Sequence, residues 1–442
     1  MLARPEVAVE HPLLARISDA RRRSDDLFEI VQPAALYDRP IPERHRIIFY
    51  IGHLEAFDWN LLYVPLRLKT LHPEFDRLFA FGIDPVSGGL PTDQPRDWPA
   101  LTAVHDYVAK VRSALDEVLS MAVFHTQEIT RDGFPLDTLV NVAIEHRLMH
   151  VETLTYMLHQ LPLERKVPEI HDPVILVSPV TPQMVPIPSG TVELGLSRSS
   201  QEFGWDNEYE SYAIDVPACE MDRYMVTNGQ FLDFVHAGGY EARDLWSEGA
   251  WNWKEKYGIS HPVFWKHAHN RWLVRTMFDE VPLPLDWPVY VSHAEAAAYA
   301  RWAGKKLPTE EQWHRAAYGT RTCTRRRYPW GDREPDDTLG NFDLHRWDPA
   351  PVNAYPESAS DFGVEGLLGN GWEWTSTEFA PLPGFEPFPF YRGYSADFFD
   401  NKHFVMKGGS ARTAACMLRP TFRNWFQAHY QYVYAGFRCV KS

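Results

Sequence analysis

Cysteine is scarce in this chain: there are four in 442 residues, Cys219, Cys323, Cys416 and Cys439, and no two form a CxxC pair. That spacing gives no support to a disulfide framework or a thiolate zinc site. Long apolar runs are missing as well. None approaches the ~20 residues a bilayer requires, and the opening stretch MLARPEVAVEHPLLARISDA lacks the continuous apolar core of a signal peptide. Positive charge is in deficit, with 44 Lys and Arg against 59 Asp and Glu and a net charge of −15. The basic runs end at Arg21-Arg22-Arg23 and Arg325-Arg326-Arg327, too short for a phosphate-neutralising surface. The expectation is a soluble, cytoplasmic protein that binds neither nucleic acid nor membrane.

Other residues are plentiful: 16 Trp, 20 Tyr, 25 Phe, 35 Pro and 19 His. Hydrophobic residues make up 45%, enough for real cores, and the length favours two domains. The first 160 residues carry apolar positions at helical spacing, and predict helices over about 9–32, 42–70, 99–127 and 135–161. Pro42 suits a first helical turn, and Gly133-Phe134-Pro135 separates the last two. Four such helices argue for a bundle. The connection from Leu78 to Pro95 is long for a bundle turn, and loops of that length often carry function.

From Lys166 to Val185 the composition turns proline-rich and β-branched, the mark of a linker. Beyond Pro186 come short β-like pieces and many turns, an irregular α+β pattern. Helices are expected at Thr227–Val235, at Ser292–Gly304 with Ser292 as cap and Gly304 as stop, and at Thr309–Tyr318.

Within LDTLVNVAIEHRLMHVETLTYMLHQLP, His146 and His150 stand four apart and share a face with Leu139, Ala143 and Met157, hence the bundle interior. Arg147 follows His146, so this is not the HExxH of zinc proteases. A third histidine, His53, lies in a stripe with Phe49 and Phe57 in FYIGHLEAFDWNLL. Three converging imidazoles can hold one metal and leave coordination positions open. A histidine buried among aromatics can equally be an ordinary core residue. For the flanking Glu55, Asp58, Glu145 and Glu152, solvation at the surface is the expectation for most.

The second half then shows an ordered set of motifs: MVPIPSG at 184–190, YMVTNGQF at 224–231, PVYVS at 288–292, KLPTEEQW at 306–313, YPWGD at 328–332, GNGWEW at 369–374, GGS at 408–410 and GFR at 436–438. On these it resembles the formylglycine-generating-enzyme-like (sulfatase-modifying-factor) domain, whose fold is irregular, α+β and C-type-lectin-like. The first half resembles a DinB-like four-helix bundle, with His53, His146 and His150 at that family's metal-ligand places. The fusion is similar to the hercynine-modifying non-haem iron enzymes, the ergothioneine sulfoxide synthases and selenoneine synthases. The expected domains are 1–165 for the bundle, 166–185 for the linker and 186–442 for the α+β part.

The resemblance implies a three-histidine Fe(II) centre, with hercynine, a sulfur or selenium donor and O2 as substrates. It places the family's Asn-Trp pair for the trimethylammonium group on Asn424 and Trp425, and a proton-donating tyrosine on Tyr391 or Tyr394. Such a cation cannot donate hydrogen bonds and is best held by aromatic faces. Trp372 and Trp374, in a motif of the whole superfamily, are expected in the core. Phe426 stands where the γ-glutamylcysteine-using type has an acidic residue, and FAFGIDPVSGG replaces the tyrosine pair of the cysteine-using bacterial type. Phe426, Gln427 and the loop Asp84–Gln94 therefore favour a selenosugar donor, with cysteine or γ-glutamylcysteine as alternatives. A copper-dependent formylglycine-generating activity needs two close cysteines after GGS, where only Cys416 occurs. A non-enzymatic ligand-binding module is the remaining alternative.

Overall fold

The computed structural model describes residues 11–82, 90–122, 124, 130–168, 172–322 and 324–441. The chain divides into two compact units, Met1–Glu169 and Ile170–Ser442. No helix among the described residues is long and apolar enough to cross a membrane.

The first unit is helical. It contains α1 (Pro12–Glu29), α2 (Ile47–Leu62), α3 (Pro73–Phe81), α4 (Leu101–Leu119) and α5 (Leu136–His159), with a minimal hairpin, β1 (Thr130–Arg131) and β2 (Phe134–Pro135), leading into α5. Helix α2 is shorter than its apolar spacing predicts, for two physical reasons. Its first donors are already engaged, because Ile47 N and Ile48 N donate to the carbonyls of Asp38 and Leu36; Pro42 accordingly sits in a turn before the helix. At the other end Pro65 has no N–H for the Leu61 carbonyl and would crowd it, so the helix stops at Leu62.

Helix α3 occupies ground read from sequence as connection. Pro73 fills its first turn and the His72 ring accepts from Phe75 N at 3.2 Å, an uncommon cap. It brings Phe79 against α2 at Gly52, where a Cβ would fall 2.5 Å from the Phe79 ring, so glycine is required there for close approach. Most of the Asp84–Gln94 loop lies outside the described residues. Of the remainder, Asp93 is buried, pairs with Arg39 and Arg46, and accepts from Trp98 Nε1 at 2.7 Å.

The second unit is α+β. Strand β3 (Met184–Ile187) is followed by β4 (Gly190–Leu194), β5 (Tyr212–Val216), β6 (Cys219–Asp222), helix α6 (Asn228–His236), helix α7 (Glu248–Tyr257), β7 (Trp265–Ala268), β8 (Arg271–Arg275) and β9 (Glu280–Pro282). Then come α8 (His293–Trp302), α9 (Glu310–Tyr318), β10 (Gly371–Glu378), β11 (His403–Gly409), β12 (Asn424–Gln427), β13 (Ala435–Gly436) and β14 (Val440–Lys441). Thr227, Ser292 and Thr309 each form a capping box, with Gln230, Glu295 and Gln312. Gly304 takes φ 64° just beyond α8, a helix stop that a side chain would strain. Helix α7 was not expected; Ser247 caps its start and Gly258 its end.

The central sheet runs β12-β11-β10-β13, antiparallel except for β13. Behind it, three of the sequence motifs meet in one buried contact. Arg438 forks onto Glu373 with two bonds of 2.7 Å, Trp313 Nε1 donates to the same carboxylate at 2.9 Å, and the guanidinium also bonds the carbonyls of Asp222, Arg223 and Glu365. Neither Arg438 nor Glu373 is exposed to solvent. Trp372 and Trp374 are likewise buried, at 1% and 0%. Glu373→Ala leaves a buried, uncompensated guanidinium and is expected to cost about 3–5 kcal/mol. Urea unfolding of the full chain measures this, and a loss below about 1 kcal/mol contradicts the assignment.

Candidate functional site

Helices α2 and α5 bring His53, His146 and His150 together. One nitrogen from each lies within 4.8 Å of the others, the one group of three metal-binding side chains this close among the described residues. The i, i+4 spacing puts His146 and His150 on one face of α5, and α2 supplies His53 from across the contact. His53 Nδ1 lies 2.7 Å from the Phe79 carbonyl. That contact assigns the proton to Nδ1 and leaves a lone pair on Nε2. His53 Nε2 in turn lies 3.2 Å from His150 Nε2. Two lone pairs cannot face each other so closely, so a proton or a cation must mediate the contact.

Aromatic rings hold the imidazoles in place. Phe57 stacks on His146 with centroids 3.4 Å apart, Phe49 stacks on His53 at 4.7 Å, and Tyr50 tilts over His150 at 5.6 Å. Burial pushes the His53 imidazole down to about 4, against the Phe79 carbonyl that favours its charged form, and holds His146 and His150 well below the usual range. All three are therefore neutral near pH 7, the state a metal requires. The buried Nδ1 of His150 makes no hydrogen bond. Three neutral imidazoles suit a first-row divalent metal and leave coordination positions for other ligands, so the residues fit the implied Fe(II).

The expectation for the nearby carboxylates needs correction. Glu55, Asp58, Glu145 and Glu152 are all buried, at 0 to 6% exposure. Glu55 and Asp58 are ion-paired to Arg147, a residue that sequence reading used only to reject a protease motif.

In the second unit, Asn424, Trp425, Phe426 and Gln427 form the edge strand β12, half-buried and paired with β11. Alternation separates them: Asn424 and Phe426 share one face, Trp425 and Gln427 the other. Asn424 Oδ1 accepts from Trp425 N at 2.8 Å. Trp425 lies flat on Phe379, centroids 4.1 Å apart and planes within 6°, with Phe398 at 5.8 Å and Tyr394 edge-on at 5.4 Å. Phe426 instead stacks on Tyr430 at 4.9 Å. Tyr391 and Tyr394 are 5.6 Å apart and both meet Trp205, and Tyr394 is also in ring contact with Trp425. Burial and the nearby Asp206 push the Tyr391 hydroxyl up to about 12. Cys219 and Cys439 are buried, Cys416 is exposed, and Cys323 lies outside the described residues.

Asp206, missed from sequence, ties the tyrosine segment down. It accepts from Ser395 Oγ at 2.6 Å and Phe388 N at 3.4 Å. Burial raises its carboxyl to about 6 despite these bonds. A carboxyl whose folded value is raised favours folding when protonated; that contribution is full below about pH 4 and lost as pH rises through about 6. Asp206→Asn is thus expected to stabilise the second unit at pH 8 by roughly 2–3 kcal/mol, a gain that shrinks as pH falls toward 4. Denaturant unfolding at the two pH values checks it, and a variant no more stable than wild type at pH 8 contradicts it.

Comparison with known proteins shows two matching families. The sulfatase-modifying factor enzyme 1-like domain matches residues 175–442, and the DinB superfamily matches residues 16–154. The hercynine oxygenase of Mycolicibacterium thermoresistibile is 35% identical over 98% of this chain and 95% of its own length. That of Mycobacterium tuberculosis is 43% identical over 55% of this chain and 57% of its own length. Ergothioneine biosynthesis protein 1 of Neurospora crassa is 26% identical over 92% of this chain, which spans about half, 55%, of the fungal protein.

Proposed function

Because the chain belongs to the hercynine oxygenase family, in which a DinB-superfamily unit precedes a sulfatase-modifying factor enzyme 1-like unit, and is thus an oxidoreductase, we propose that it forms a carbon–chalcogen bond at the imidazole of hercynine, using Fe(II) and O2. The observation that carries this reading is the cluster of three neutral imidazoles on α2 and α5, with His146 buried and His53 and His150 half-buried. His53, His146 and His150 hold the iron, which when bound supplies the redox chemistry with O2 that an amino-acid side chain cannot.

The other residues bind, orient and hold protons. Trp425, backed by Phe379, offers an aromatic face to the trimethylammonium group, and Asn424 Oδ1 holds the Trp425 backbone N–H. Tyr391 keeps its hydroxyl proton at neutral pH and so has one to give, and Tyr394 is the alternative donor, in contact with Trp425. As donor substrate we favour a selenosugar. Phe426, stacked on Tyr430, offers an aromatic surface to a sugar ring but gives no charge to a dipeptide amine. Free cysteine and γ-glutamylcysteine are the alternatives the test must separate. Membership of an enzyme family sets the pure binding-module reading aside.

The test offers Fe(II)-loaded protein hercynine and O2 with cysteine, γ-glutamylcysteine and a selenosugar in competition, with products weighed by mass spectrometry. A selenium adduct of hercynine is expected to dominate. Much faster consumption of a thiol overturns the donor assignment, and no adduct with any donor overturns the activity. His146→Ala is expected to abolish both iron content and turnover. Trp425→Ala is expected to raise the KM for hercynine roughly 30-fold, the equivalent of about 2 kcal/mol for a desolvated cation–π contact. An unchanged KM removes Trp425 from the ammonium site.

A further inference from the structure

Arg147 lies between the two histidines of α5, one residue after His146 and three before His150, and is 2% exposed. Its guanidinium also reaches α2. Nη2 lies 2.9 Å from Glu55 Oε2 and 2.7 Å from Asp58 Oδ2, and donates to the Leu54 carbonyl at 3.1 Å. Nη1 reaches Ser24 Oγ of α1 at 3.3 Å. Glu55 also takes Arg112 of α4, at 2.8 Å to Nε and 2.7 Å to Nη2, and Arg112 forks onto Asp25 of α1 at 2.7 and 2.8 Å. One chain of charges therefore links α1, α2, α4 and α5.

The chain of charges crosses between α2 and α5 at the same level as the imidazoles. On α2, His53 precedes Glu55 by two residues and Asp58 by five; on α5, the histidine pair brackets Arg147. Sliding one helix past the other by a single residue, about 1.5 Å, would break the Arg147 contacts and separate His53 Nε2 from His150 Nε2 together. Buried ionic networks are a poor source of stability, because desolvation offsets their attraction, and fixing register is their best-attested use. We infer that Arg147, through Glu55 and Asp58, is a positioning residue that sets the register of His53 against His146 and His150. This rests on the reading of the three histidines as metal ligands.

The test uses Co(II), a divalent ion whose visible absorption reports its ligand geometry, titrated into the full-length, chelator-treated protein without oxygen. Two variants are compared with wild type. Arg147→Lys keeps the charge but loses the planar fork. The combination of Arg147→Met and Asp58→Leu removes one partner of each sign and leaves Glu55 paired with Arg112. Both are expected to weaken Co(II) binding by about tenfold or more and to shift the visible bands, while the metal-free Arg147→Lys protein melts close to wild type. Wild-type affinity and spectrum in Arg147→Lys overturn the positioning role, whether or not the double variant folds. Wild-type protein that takes up no Co(II) overturns the three-histidine reading itself.

Discussion

Keeping three imidazoles neutral with their nitrogens turned toward one another is the constraint around which the helical unit is arranged. Desolvation opposes protonation of each ring, and a charge on any one would repel the other two. The rings are therefore neutral bases, held by stacking on Phe57 and Phe49 and by the Phe79 carbonyl. Phe79 can reach His53 only because α3 packs closely on α2 at Gly52. The polar groups that the same helices must bury are gathered into a separate network around Arg147. Neutral donors for a cation and paired charges for register thus occupy adjacent layers of one helix crossing.

The second unit solves a different problem, that of presenting flat aromatic surface from an irregular fold. Glu373, Arg438 and Trp313, far apart in sequence, satisfy one another behind the central sheet. With β10 and β11 so anchored, β12 can lie at the sheet edge and leave Asn424 to Gln427 half-buried. Phe379 supports Trp425 from the end of β10, and Asp206 ties down the segment that carries Tyr391 and Tyr394.

What could be read from the sequence follows the range of each interaction. His146 and His150 were legible because four-residue spacing is a local rule, and His53 because Phe49 and Phe57 mark its face. The helices starting at Thr227, Ser292 and Thr309 were legible for the same reason, and the structure closes each with a capping box. The extent of α2 was misjudged, although Pro65 is a local stop signal, and α3 was missed because its cap is a histidine. The role of Arg147 was not legible, because its partners Glu55 and Asp58, and the Arg112 and Asp25 linked to them through Glu55, come from other helices that no window of sequence contains. The partners of Trp425, Phe379 and Phe398, were hidden for the same reason.

The central claim is that the three histidines hold iron, and diffraction tests it most directly. Crystals of Fe(II)-loaded protein grown without oxygen, measured at the iron absorption edge, should show one anomalous peak in the helical unit within bonding distance of a nitrogen of His53, His146 and His150. Its ligand on His53 should be Nε2, since Nδ1 is held by Phe79. Iron bound elsewhere, or protein that binds none, contradicts the account.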